Sequence, residues 1–142
     1  MTTPDLRTPA WLLRGISSVP GELRLSSATV SFVAHGSGSA WPGQLRTLAS
    51  LLGRHSFGAE LDAGRSAELF AWPAREVAVE QPWYYFGGGL RLRHRGVDLR
   101  ISFGRPAGGA RSPRQAMAEF REFAAMRARG KLWAAALANA AL

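Results

Sequence analysis

The stretch Gln81-Pro-Trp-Tyr-Tyr-Phe-Gly-Gly-Gly-Leu-Arg-Leu-Arg-His-Arg-Gly-Val-Asp-Leu-Arg-Ile-Ser-Phe-Gly-Arg105 decides the fold. Leu90 and Leu92 alternate with Arg91 and Arg93; beyond Gly96, Val97, Leu99, Ile101 and Phe103 alternate with Asp98, Arg100 and Ser102. Two period-two runs around a short glycine-containing turn predict an antiparallel hairpin. With Arg95-Gly96 as the loop, the opposed pairs are His94:Val97, Arg93:Asp98, Leu92:Leu99, Arg91:Arg100 and Leu90:Ile101. This register puts every aliphatic residue on one face, and a one-residue slip destroys that. A four-residue loop keeps the same parity, so the turn type stays open. Arg-Gly is a poorer hairpin turn than Asn-Gly, because arginine disfavours a positive φ. Arg93:Asp98 is a favourable cross-strand pair, whereas Arg91:Arg100 opposes like charges. An anion between those two arginines removes that cost, as does splaying of the side chains into water.

Working outward, alternation predicts strands over 10–16, 22–25, 29–35, 68–72 and 76–80, the first three as a meander. The Ser17-Ser18-Val19-Pro20-Gly21 segment reads as a turn. Residues 1–9, with Pro4 and Pro9 and no periodicity, read as a loose arm before a single domain over 10–142. Trp41, Leu45, Leu48, Leu51 and Leu52 recur at helical spacing, with Pro42 in the first turn and Gly53 as the stop, so a short helix is predicted over 41–52. Residues 54–67 read as a long loop. Ser112-Pro113-Arg114-Gln115 opens a C-terminal helix with a capping box. Its apolar stripe is Met117, Phe120 and Ala124, with Phe123 and Met126 beside it. Arg127 and Arg129 suit the negative end of the helix dipole and Gly130 a terminator. Residues 131–142, built on Leu132, Trp133 and Leu137, then continue that helix or form a second one.

The 142 residues suffice for one domain with its own core, and 46% apolar with 20% charged residues describe an ordinary globule. The chain has no run of about 18 apolar residues to span a bilayer and no visible secretion signal. Without cysteine there is no disulfide, thiol nucleophile or thiolate metal site, and a cytoplasmic location, at most peripheral at a membrane, is expected. The net charge of +8 is uneven. Residues 1–90 carry seven arginines and seven acids, whereas residues 91–142 carry eleven cations against Asp98, Glu119 and Glu122. Such polarity favours an anionic partner. Lys131 is the only lysine, so genome composition explains arginine over lysine, though not the asymmetry.

Seven strands and a closing helix are the element order of the pleckstrin-homology superfold. The chain resembles its GRAM-like branch, especially small actinobacterial proteins of uncharacterised function. The likeness is carried by Gly21-Glu22-Leu23-Arg24-Leu25, Val30-Ser31-Phe32 and the segment from Leu69 through Trp72-Pro73 to Val77. It continues in Pro82-Trp83-Tyr84-Tyr85-Phe86-Gly87-Gly88-Gly89-Leu90, Ile101-Ser102-Phe103 and Gly130-Lys131-Leu132-Trp133. It covers about two thirds of the chain; residues 37–67 depart from the short connection of such proteins. The resemblance implies a mainly β (α+β), seven-stranded antiparallel half-barrel with a C-terminal capping helix and a short inserted helix near 41–52. It also implies lipid or protein binding, without catalysis. The basic residues that grip inositol phosphates in pleckstrin-homology domains are matched only by Arg14 and Arg24.

Among the candidate chemistries, His35, His55 and His94 stand at no ligand spacing, and no metal or cofactor is expected. His94, on the inward parity of its strand, reads as a hydrogen-bonded or rim histidine. The triglycine lacks the Gly-Lys-Ser/Thr of a phosphate loop and reads as a bend. Arg91, Arg93, Arg95, Arg100 and Arg105 form the candidate anion-binding set. At about 1 kcal/mol per cation near an anionic surface, such a patch supplies about 3–4 kcal/mol, only millimolar affinity. The leading expectation is therefore weak recognition of anionic lipid, with Trp83, Tyr84 and Tyr85 as interfacial anchors if exposed. The alternative is a protein-interaction module engaging an acidic protein, or a homodimer, through an edge strand or Leu132 and Trp133. Nucleic acid ranks third, because aromatics do not interleave with the arginines.

Overall fold

The computed structural model describes residues 5–14, 17–38, 40–54, 57–81, 89–104 and 113–142. Seven antiparallel strands form one open sheet: β1 (Leu6–Arg14), β2 (Ser17–Ser26), β3 (Thr29–Ala34), β4 (Ala67–Pro73), β5 (Ala78–Glu80), β6 (Gly89–His94) and β7 (Val97–Ser102). Their order is β4-β3-β2-β1-β7-β6-β5. Helix α1 (Pro42–Leu51) and a one-turn helix α2 (Gly58–Asp62) lie between β3 and β4, and α3 (Pro113–Ala140) follows the sheet. The expected mainly β architecture, with a C-terminal helix and a short inserted helix, is what the chain adopts.

The β6–β7 hairpin has the register that its aliphatic pattern requires, from His94↔Val97 to Leu90↔Ile101. The turn is the two-residue form: Arg95 and Gly96 have φ of 47° and 82°, the left-handed pair whose twist matches the flanking strands. Arg95 adopts this disfavoured conformation because the two strands beside it fix the register. Leu90, Leu92, Leu99 and Ile101 are buried, each contributing roughly 1.5–3 kcal/mol of transfer free energy.

Several local expectations are corrected. Residues 6–9 belong to β1, not to a loose arm, since Leu6 to Pro9 pair with Leu25 to Glu22. The Pro20-Gly21 segment is the first half of β2, not a turn; β1 ends at Arg14 and resumes as β2 at Ser17. Proline is tolerated there because the Pro20 carbonyl accepts the His35 N–H just beyond the end of the β2–β3 ladder, so its missing donor costs no ladder bond. The predicted fifth strand is shorter, because Ala74–Glu76 form a 3-10 turn. Within the 54–67 stretch, α2 forms because Phe57 and Leu61, one turn apart, are both buried in the core. Gly130 does not end α3. The helix runs through it for 28 residues, so Arg127 and Arg129 sit mid-helix, and the dipole argument for them lapses.

A single core joins the inner face of the sheet to Leu45 and Leu48 of α1, Leu61 of α2 and Trp133 and Leu137 of α3. Although the sheet is open, its two ends face each other. Trp72 of β4 stacks on Phe70 at 4.2 Å and on His94 of β6 at 4.7 Å. His94 is thus a rim residue as expected, but its Nε2 is buried with no hydrogen-bond partner among the described residues. An orphaned buried polar atom costs free energy that an apolar ring of similar shape avoids. His94→Phe is therefore expected to leave the midpoint of urea unfolding unchanged or raise stability by about 1 kcal/mol; a loss of that size would show that the nitrogen has a stabilising role.

Candidate binding surfaces

Arg91, Arg93 and Arg95 do not form an open cationic face. Arg91 grips Asp98 in a fork, its Nε donating at 2.9 Å to each carboxylate oxygen and its Nη2 also bonded to Oδ2. Arg93 lies 3.7 Å from the same carboxylate. Glu80 of β5 reaches Arg91 at 3.8 Å and Arg93 at 3.6 Å, and Glu76 takes Arg95 at 3.2 Å. Asp98 thus bonds more closely to the diagonal Arg91 than to the directly opposed Arg93, because a long guanidinium spans the diagonal. The anion that relieves the Arg91:Arg100 opposition is the protein's own. Four guanidiniums face three carboxylates, which leaves the patch a net charge of about one and corrects the expectation of a strongly basic face. Arg100 is exposed and makes no ion pair among the described residues.

The Arg91 hydrogen bond, reinforced by the charges of Arg91, Arg93 and Arg100, holds the Asp98 carboxyl below its ordinary value; partial burial opposes the shift. A carboxylate whose pKa is depressed by folding stabilises the fold above the unfolded value, and that contribution disappears as pH falls through the folded value. The Asp98 side chain is 39% exposed, so solvent screening limits the pairing to less than about 1 kcal/mol. NMR titration is expected to find Asp98 ionising below the free aspartate range in the native protein and within it in Arg91→Ala; equal values in the two proteins would contradict the fork.

The remaining sequence candidates divide sharply. Arg105, Trp83, Tyr84 and Tyr85 lie outside the described residues. Trp133 is fully buried, so it is a core residue and not part of an exposed interface. Its indole Nε1 donates to Thr8 Oγ1 at 2.9 Å and its ring stacks on Phe103 at 6.2 Å. Leu132, one residue earlier and so about 100° around the helix, is 53% exposed. Gly130, Trp133 and Leu137 mark the sheet-facing stripe, and Ala124 of the predicted stripe is exposed.

The opposite face of α3 bears Ala124, Ala128, Leu132 and Ala135, all exposed, in a ridge that the sheet does not cover. Arg121, Arg127 and Lys131 are exposed around it. This surface was half legible in the sequence. Leu132 stands out in the sequence, but with Gly130 read as a stop, Arg127 falls at a helix end and not beside Leu132 on one continuous helix.

The sheet edges are poor templates for an added strand. β4 has a register irregularity opposite Phe32/Val33 and ends in Pro73, and Arg54 occupies the Glu68 carbonyl at 3.4 Å. A bulge, a proline and a charged side chain are the devices that blunt an edge. β5, at the other end, has only three residues. Among the described residues there is no cluster of metal-ligating side chains, and no helix is long and apolar enough to cross a membrane. No protein-family model, curated protein or solved structure matches the chain.

Proposed function

We propose that this chain is a non-catalytic, pleckstrin-homology-like interaction module that binds an acidic amphipathic helix of a partner protein on the outer face of α3. The observation that carries this reading is the exposed Leu132 in a ridge of alanines, bordered by Arg121 and Lys131. Small residues let a second helix approach closely, and one large apolar side chain gives that helix an anchor. The like charges around the ridge disfavour a second copy of the same face and favour a partner with carboxylates. A bilayer is a poorer fit, because interfacial helices bury several bulky apolar side chains and this ridge offers one. The strand-face arginines, matched by Asp98, Glu80 and Glu76, add little to lipid attraction.

The test is selection of a displayed library of helical peptides against the full chain. Acidic amphipathic sequences are expected to be enriched. Leu132→Glu should weaken the best of them by roughly tenfold or more, the effect of losing an anchor worth at least about 1.4 kcal/mol. Arg95→Glu should leave it unchanged. Enrichment of basic peptides, binding indifferent to Leu132→Glu, or stronger binding to anionic vesicles than to any peptide would reject the reading. Light scattering of the free chain decides whether the face self-associates.

A further inference from the structure

Away from α3, the loop after β3 and the two inserted helices enclose a half-open cavity of about 240 Å³. Its apolar lining comes from Ala40, Pro42, Leu45 and Ala59, of which Leu45 is only 4% exposed. Two charged side chains also line it, Arg46 from α1 and Asp62 from α2. Both are exposed, and no ion pair or hydrogen bond joins either side chain to a described residue. Elsewhere on the insertion and sheet several opposite charges do close on each other. Arg24 pairs with Glu22, Arg54 with Glu68, and Arg95 with Glu76. Here an opposite pair shares one cavity without closing on itself.

We infer that this cavity is a binding site for a small zwitterion of the amino-acid class, independent of the proposed partner surface. The ligand carboxylate lies on the Arg46 guanidinium, whose planar fork matches it bidentately. Its ammonium lies on the Asp62 carboxylate, and its side chain rests on Leu45 and the two alanines. Each protein charge is compensated only when both ends of the ligand are present. Size narrows the class further: drug-sized sites occupy roughly 300–1,000 Å³, so a cavity of about 240 Å³ suits a single apolar amino acid and not a peptide.

The experiment is an amide NMR titration of the full chain with L-alanine, L-valine and L-leucine. Two leucine analogues serve as controls: 4-methylpentanoate, which lacks the ammonium, and isoamylamine, which lacks the carboxylate. Saturable shifts confined to Ala40, α1 and α2 are expected with at least one amino acid. Removing one charge-assisted contact should weaken binding by about tenfold or more; this applies to both analogues, to Arg46→Ala and to Asp62→Asn. Both variants keep the native spectrum, because neither side chain is buried or bonded. No saturable shift with any of the three amino acids at roughly ten millimolar overturns the inference. Equal binding of a singly charged analogue, or undiminished binding by either variant, overturns it as well. Leu132→Glu should leave these titrations unchanged, which separates this site from the helix face.

Discussion

Trp133→Ala is expected to be the most damaging single substitution in the described part of α3, costing about 3–5 kcal/mol of stability. Trp133 is fully buried, stacks on Phe103 and donates to Thr8. Removing the indole therefore opens a large cavity and strips the hydrogen bond that ties α3 to β1. Urea unfolding should show a lower midpoint with an unchanged slope. Trp133→Phe keeps an aromatic ring beside Phe103 and loses chiefly the hydrogen bond and some volume, so it should cost clearly less. Leu132→Ala, next in sequence but exposed, should stay within about 0.5 kcal/mol of the parent. The expected order is thus Trp133→Ala, Trp133→Phe, Leu132→Ala. Comparable losses at 132 and 133 would mean that α3 is rotated about its axis, and the proposed partner face would fall with it.

Gly21→Ala is the second large effect, and its cause is backbone and not side-chain packing. Gly21 is buried in β2, flanked by Ala10 of β1 and Ala34 of β3. A methyl group there would overlap the Val33 carbonyl oxygen and come within 2.8 Å of the Phe32 ring. The carbonyl cannot yield without shifting β3, so a loss of about 1–3 kcal/mol or more is expected, as for other overpacked interiors. Gly104→Ala is the informative comparison. Its added carbon would also overlap a neighbour, but the atoms met belong to the Met126 side chain, a flexible thioether that can change rotamer. Thermal unfolding should find Gly21→Ala well below Gly104→Ala. A reversal would show that β2 and β3 are further apart than the Gly21 contacts indicate.

What the sequence showed best was whatever depends on alternation. The Leu90/Leu92 and Leu99/Ile101 pattern and the Arg95-Gly96 turn together match the β6–β7 register, because a period of two excludes every odd slip and the turn selects among the even ones. The Pro42 start and Leu45/Leu48 spacing gave α1 in the same way. Local punctuation was less reliable. Pro20-Gly21 looked like a turn yet lies in a strand, and Gly130 looked like a stop yet lies inside a helix. In each case tertiary contacts outweigh a local preference of about 1 kcal/mol: the β1–β2 ladder at one site, the burial of Trp133 and Leu137 at the other.

By itself, then, the chain determined its class, its central hairpin and the existence of a closing helix, because hydrophobic periodicity is a property of neighbouring residues. Only the tertiary structure decided which charges remain unmatched. Glu80 meets Arg91 and Arg93 through strand pairing, and Glu76 reaches Arg95 across the 3-10 turn. Arg46 and Asp62 share a cavity without touching. Electrostatic compensation depends on distance in space, so a tally along the sequence could locate the excess charge but not say where it is free to act.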